Sequence, residues 1–479
     1  MSQIINNIKS HWMIIIIIII GSYLRFYKLN ELAILFGDSG RDILAATSAV
    51  EEGSIPLLGI PSSVPRFRQG PLSIWLVMLL NIVFGDNFLI YSLVFAFIGT
   101  LAVIALYEYM LNFHGKKAAV LASLMLAFSP LAVAHSRMIY HITPTPLLVV
   151  LFLWSLQKAW KGSRKSFFLA GLMASLVFQT ELSLFPLVLI PLIIMFIKKI
   201  IKKQIVVSFI SGVAVGLTPQ IIHDLTHRFA HLGGFSLWLG YRVIAAFAPT
   251  EHQFNQGKIV ETLVSYGRYF CRIWSTDNIF ISILMFLIFI CSVFWLWKKR
   301  SILRAKTRIE LLAFIILTIG YVIHGTPSEA YFPAYFIFLP IIISIGIVLM
   351  RLRYQAILIT SLVIVSFVNF AEINQFNFFV SNNNSFSYGP SVGEQKEIIE
   401  FISSTSNGPF KLKTNDDYGV FPSYFDGYRY LMKQKNLFEN ENGKVFYVEK
   451  RGNRPIFIWS FEEKIARKTF PSIDVYYFQ

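Results

Sequence analysis

The chain is a succession of apolar runs about twenty residues long, most of them closed off by a basic cluster, and that pattern constrains the fold before anything else does. Inside a bilayer every main-chain polar group must be satisfied within its own segment, so the runs must be helices. Runs that fit a crossing stand near 12–29, 88–111, 118–135, 142–158, 166–180, 182–197, 204–221, 279–297, 309–324, 331–349 and 354–371. The 166–197 block divides in more than one way, because Gln179-Thr180-Glu181 interrupts a stretch short for two helices. Only 15% of the 479 residues are charged, against about 25% in soluble domains. The expected fold is mainly α: a polytopic transmembrane helical bundle of about 11–13 spans.

The net charge of +16 is distributed in a way that argues against nucleic acid. Lys116-Lys117, Lys158 to Lys165, Lys198 to Lys203, Lys298 to Arg308, and Arg351 with Arg353 form loops that carry no acid. Such loops mark the cytoplasmic side. With a cytoplasmic N-terminus they all fall there, provided that 71–84 does not cross; at about fourteen residues it is short for a span and reads as a juxtamembrane or re-entrant helix. The Ile14–Ile20 run resembles a signal-peptide core, but Leu24-Arg25-Phe26-Tyr27 follows instead of a small-residue cleavage site. It therefore reads as a retained first span. The expected location is the cell (inner) membrane.

The opposite face collects the mixed ionisable groups: the first external loop, 30–88, then His135 to Arg137, Gln179 to Glu181, the 222–278 segment and Glu329. It also receives the tail. Residues 1–371 read as the transmembrane catalytic domain and 372–479 as a small extracytoplasmic α+β domain. A helical pattern over 394–404 and β-rich pieces near 409–413, 444–449, 455–460 and 474–478 support that division. Cys271 and Cys291 offer neither a disulfide nor a thiolate metal site, since the second lies inside an apolar run.

The stretch Phe36-Gly37-Asp38-Ser39-Gly40-Arg41-Asp42 sits just past the first apolar run. If Asp38 caps a helix ending near Glu52, with Gly53 as its stop, then Asp38, Arg41 and Asp42 share one side. Paired carboxylates there could deprotonate an acceptor hydroxyl or hold a divalent cation, and Arg41 suits a phosphate. A plain N-cap with ion pairs one turn apart fits the same residues.

The order of motifs resembles the GT-C superfamily of polytopic glycosyltransferases that use polyprenyl-phosphate sugars, in the protein-mannosyltransferase and aminoarabinose-transferase-like branch. The features that carry the resemblance are Leu24-Arg25-Phe26-Tyr27, the acidic Asp38-Ser39, Gly53 to Gly59, Gly70-Pro71-Leu72 leading to Phe84-Gly85, and Ser129-Pro130 followed by Ser136-Arg137. Tyr331 to Pro340 is similar to the aromatic-proline run of the late spans. The likeness extends over about 12–371 and is densest over 20–140. It implies that Asp38 is the catalytic acidic residue, activating the acceptor directly or orienting a metal. Ser39 stands where a second acid is usual, and Asp42 is the candidate to replace it.

Arg137 suits the donor phosphate, though a snorkelling interfacial arginine would look the same. His141 takes the place of a second acid as candidate base or ligand. Glu181 breaks an apolar block, which calls for a partner. His223 and His227, four residues apart with Asp224 between them, resemble half a metal site without a third ligand. No cofactor follows from these residues beyond a divalent cation. The partners implied are a polyprenyl-phosphate sugar, the bilayer, and a protein, lipid or glycan acceptor. A lipid-sugar flippase would instead place charges at mid-membrane, and a surface-polysaccharide polymerase or ligase would carry a late loop rich in Arg and His.

Overall fold

The structure is a computed structural model and describes residues 2–62, 67–247, 256–276, 278–301, 303, 305–325, 328–375, 388–406, 408–415, 421–451 and 465–478. Helix α1 (Ser2–Phe26) ends shortly before Lys28, whose positive φ of 45° turns the chain into the short α2 (Leu29–Leu32). Helix α3 (Gly37–Glu51) carries the acidic stretch and stops at Gly53, where φ is +63°, a conformation that suits glycine. Its N-cap is Phe36, not Asp38, and Asp38 sits in the first turn. An acid in that turn still meets the positive end of the helix dipole. Helix α4 (Leu72–Phe84) has thirteen residues, and α5 (Phe88–His114) has 27.

The run expected as one span at 118–135 is two helices, α6 (Lys116–Ala127) and α7 (Pro130–Ser136), bent by 65°. Ser129-Pro130 causes the break. Proline holds its predecessor extended, and the Ser129 hydroxyl then accepts the Ala132 N–H at 3.4 Å to cap the new helix. Helices α8 (Thr145–Ala159) and α9 (Arg164–Thr180) follow. Glu181 is extended and opens a 3-10 turn over Leu182–Val188 before α10 (Leu189–Ile197). A second bent pair, α11 (Lys203–Gly216) and α12 (Thr218–Thr226), turns by 76° with Pro219 in the first turn of α12. Helices α13 (Ala230–Phe247) and α14 (Gln256–Trp274) expose Leu237, Ile244, Val260 and Leu263, as helices lying in an interface would.

The bundle closes with α15 (Ile279–Lys298), α16 (Ala305–His324), a 3-10 turn over Glu329–Ala334, α17 (Tyr335–Val348) and α18 (Leu352–Ile373). The aromatic-proline run thus enters a central helix that is almost wholly buried. Among the described residues five single helices are long and apolar enough to cross a membrane, or seven with the bent pairs, and four shorter apolar helices lie among them. That is fewer than expected by length alone, because proline and polar breaks cut several runs short. The protein is a multi-pass membrane protein.

The tail contains α19 (Val392–Ser406), β1 (Phe410–Lys413), α20 (Asp426–Gln434), β2 (Lys444–Lys450), β3 (Ile465–Thr469) and β4 (Ile473–Phe478). The helix and three of the strands stand where expected; the piece at 455–460 lies outside the described residues. The sheet runs β1-β2-β4-β3, with β1 and β2 parallel and the other pairs antiparallel. One apolar core joins Leu29, Leu35, Ile43 and Ile74 to Ile398, Tyr430, Phe446 and Val475 of the tail. Each such side chain contributes about 1.5–3 kcal/mol when buried, so the tail is docked on the first loop by core-type packing.

Candidate active site

Three strand-poor connections converge on the start of α3. The α7–α8 turn brings Tyr140 and His141, the α9 terminus brings Glu181, and a short antiparallel pairing between Gly59-Ile60 and Gln69 brings Gln69 above it. Arg41 lies between the two acids of its own helix: its guanidinium is 2.9 Å from Asp38 and 3.2 Å from Asp42. Asp42 is 1% exposed and accepts from the main-chain N–H of His141 at 3.3 Å; its carboxylate also lies 3.3 Å from the His141 ring. The other ring nitrogen of His141 is 3.9 Å from Glu181, and Gln69 donates to that same carboxylate at 3.4 Å. The result is a continuous chain of alternating charge, Asp38–Arg41–Asp42–His141–Glu181.

Burial opposes the charge on His141, but hydrogen bonds and charge from Asp42 and Glu181 outweigh it and raise its pKa to about 9. Burial likewise opposes the Arg41 charge, and Asp42 and Asp38 together reverse that effect and push its pKa up. Burial, then the charges of Asp38, Asp42 and Glu181, hold the Tyr140 hydroxyl far above its ordinary value. Tyr140 therefore stays a proton donor. Asp38 differs from the other acids in exposure. Its side chain is 33% exposed, against 1% for Asp42 and 7% for Glu181. It is the carboxylate of the cluster that a substrate can reach.

Other expected residues fall elsewhere. Ser39 is fully buried, and among the described residues its hydroxyl has no hydrogen-bond partner. Asp42, one turn on, supplies the second carboxylate and is buried between Arg41 and His141. Arg137 is 1% exposed and donates to the carbonyls of Leu24, Arg25, Tyr27 and Leu32 at 2.9–3.2 Å. Its guanidinium ties the end of α1 to α7, and the expected phosphate contact does not fit that placement. His223 and His227 stack with centroids 3.9 Å apart, while buried Asp224 accepts the N–H groups of His231 and Leu232 at 2.8 and 2.9 Å. Asp224 thus caps α13. Among the described residues no three His, Cys, Asp or Glu side chains are grouped to hold a metal ion. At Asp38 and Asp42 the Arg41 guanidinium already occupies the place between the carboxylates where a divalent cation would sit.

With this geometry, known proteins become informative. The family model described as dolichyl-phosphate-mannose-protein mannosyltransferase matches residues 68–223, a third of the chain. ArnT from Cupriavidus metallidurans superposes with a TM-score of 0.58 at 12% identity, 98% of each chain being covered. The same protein bound to undecaprenyl phosphate gives 0.59 at 11% identity, with the same coverage. The oligosaccharyltransferase of Archaeoglobus fulgidus gives 0.52 at 12% identity, covering 91% of this chain and 68% of that one. The chain has a GT-C fold. No curated protein matches it by sequence. The fold expected from the motifs is the one found. The matched segment contains Gln69, His141 and Glu181 but begins after Asp38, so α3 is assigned to the site by contact alone.

Sequence reasoning missed a second, part-buried cluster. Glu329 lies 3.0 Å from His135 and 3.2 Å from Arg272, and accepts from the Tyr388 hydroxyl. Phe36 packs against both Tyr140 and Tyr388, 5.1 and 6.3 Å between ring centres, and so links the two clusters. Nothing in the spacing of 135, 272, 329 and 388 could have revealed it. Gln69 was within reach of sequence reasoning, since it precedes the Gly70-Pro71-Leu72 motif.

Proposed function

We propose that this membrane glycosyltransferase moves a sugar from a polyprenyl-phosphate donor to an acceptor hydroxyl on the extracytoplasmic face, with Asp38 as the base. The exposure of Asp38, with Arg41 part-exposed beside it and Asp42, His141 and Glu181 buried behind them, carries the reading. Its carboxylate accepts the hydroxyl proton while the oxygen attacks the anomeric carbon, and the bond from that carbon to the phosphate oxygen breaks. Arg41 faces the phosphate that leaves. Arg68 stands close enough to Arg41 that burial, and then the Arg41 charge, lower its pKa; it supplies further positive potential for the same group. A single displacement of this kind inverts the anomeric centre. Asp42, His141 and Glu181 hold Arg41 and the α7–α8 turn in place. The acceptor is a protein, lipid or glycan, and the solved ArnT complex with undecaprenyl phosphate supports the lipid class of the donor.

Reconstituted protein given a labelled polyprenyl-phosphate sugar tests this. Asp38→Asn is expected to lower transfer by about 10²–10⁴-fold, the usual contribution of a positioned base. Equal transfer by both proteins would remove Asp38 from the mechanism, and movement of the lipid across liposomes without bond cleavage would favour a flippase.

A further inference from the structure

We propose that the C-terminal domain contributes a positioning residue, Ser423, that sets the orientation of Asp38; this rests on the reading of Asp38 as base. The Ser423 hydroxyl donates to Oδ1 of Asp38 at 2.9 Å, across 385 positions of sequence. Arg41 lies 2.9 Å from the same oxygen. Among the described residues no donor is directed at Oδ2. The carboxylate is held by one oxygen and presents the other, which is the arrangement a base needs for an incoming hydroxyl.

The two contacts are not equivalent: Ser423 donates a hydrogen bond, and Arg41 makes an ion pair. Arg41 is shared with Asp42, which its Nε and a terminal nitrogen approach at 3.4 and 3.2 Å. A carboxylate held by Arg41 alone would follow that guanidinium toward Asp42. Ser423 pulls from the opposite domain and fixes the torsion.

The hydroxyl is itself precisely supported. A Cβ on Gly37 would collide with the Ser423 carbonyl, and one on Gly40 with the backbone of Asp426 and Gly427. The two glycines in the acidic stretch therefore let the tail backbone come into direct contact with α3. Gln395 donates to the Leu35 carbonyl at 2.7 Å, and Lys433 pairs with Glu51 at 2.8 Å, so the tail grips α3 at both ends. The spacing of glycines in Gly37-Asp38-Ser39-Gly40 is thus explained by the segment 423–427 that lies on it.

The test compares kcat and donor KM of the full-length reconstituted enzyme for wild type, Ser423→Ala, Ser423→Thr and Asp38→Asn. Ser423→Ala is expected to lower kcat about 10- to 100-fold, the worth of one hydrogen bond to a charged group, with donor KM within about two-fold of wild type. Ser423→Thr keeps the hydroxyl and is expected to recover most of the rate. The inference is overturned if Ser423→Ala keeps the wild-type kcat while Asp38→Asn loses it, or if Thr fails as fully as Ala, which would mean that packing matters and the hydroxyl does not. A rise in KM alone also overturns it. If Asp38→Asn keeps the wild-type rate, the reading of the base has failed, and the inference with it.

Discussion

His141 is the residue whose chemistry reaches furthest. Between two buried carboxylates it is charged through neutral pH, with a pKa near 9 in place of the ordinary 6.5. Below about pH 6.5 it is protonated in both folded and unfolded protein, and its contribution is complete. As pH rises through 9 the folded protein loses that proton, and with it up to about 3 kcal/mol. The unfolding midpoint in detergent is therefore expected to fall for wild type between pH 7 and 9 relative to His141→Gln, which should stay flat in that window. Parallel curves would show that His141 is not the link between Asp42 and Glu181. At this scale the sequence placed Asp38, Arg41 and Asp42 on one side of a helix, and the structure pairs Arg41 with both acids; the spacing alone fitted a cap with ion pairs as well as a site. The role of Arg137 was not legible, since an arginine bound to main-chain carbonyls and one awaiting a phosphate share the same sequence context. Ser423 carried no signal, being one serine among many until the tail folds back.

Among the elements, the contact of α3 with α20 decides whether the site exists. It depends on absent side chains: Gly40 must have no Cβ for the backbone at 426–427 to approach. Gly40→Ala is expected to cost about 1–3 kcal/mol, as overpacking does, and to reduce transfer in step. Gly233→Ala, with open space around its Cα in α13, is the matched control and should hold or slightly raise the midpoint. Thermal unfolding of the two variants side by side decides this; equal midpoints would contradict the close packing. The long apolar helices were readable from hydrophobicity, and the bend at Ser129-Pro130 from proline chemistry, although as a single run it was expected to continue. Helix α20 and strand β3 were hidden. Tyr428, Tyr430 and Leu431 bury against the first loop, and although this helix is strongly amphipathic, nine residues are too short a stretch to stand out within a polar tail.

Helix α5 meets Tyr430 of the tail through Phe88 at its start and ends at His114, just before the basic Lys116-Lys117, as expected for a basic collar at one end of the bundle and the α3 cluster at the other. The expected orientation has the collar in the cytoplasm. With Cys271 and Cys291 replaced by serine, a cysteine at Asn442 should react with an impermeant thiol reagent in intact cells. One at Arg300 should react only after lysis. The reverse pattern would invert the topology and remove the extracytoplasmic site. The division at 371–372 describes composition better than packing. Polarity changes there, yet the tail shares its core with Leu29, Leu35 and Ile43.

That shared core also sets a clock. Asp38 and Ser423 are 385 residues apart, and a ribosome adding about 5–20 residues per second needs roughly 20 to 80 s to span them. Throughout that interval the first loop is in place with its apolar face bare and its carboxylate unsecured. A growing chain therefore holds Asp38 without its Ser423 partner until residue 423 has been made.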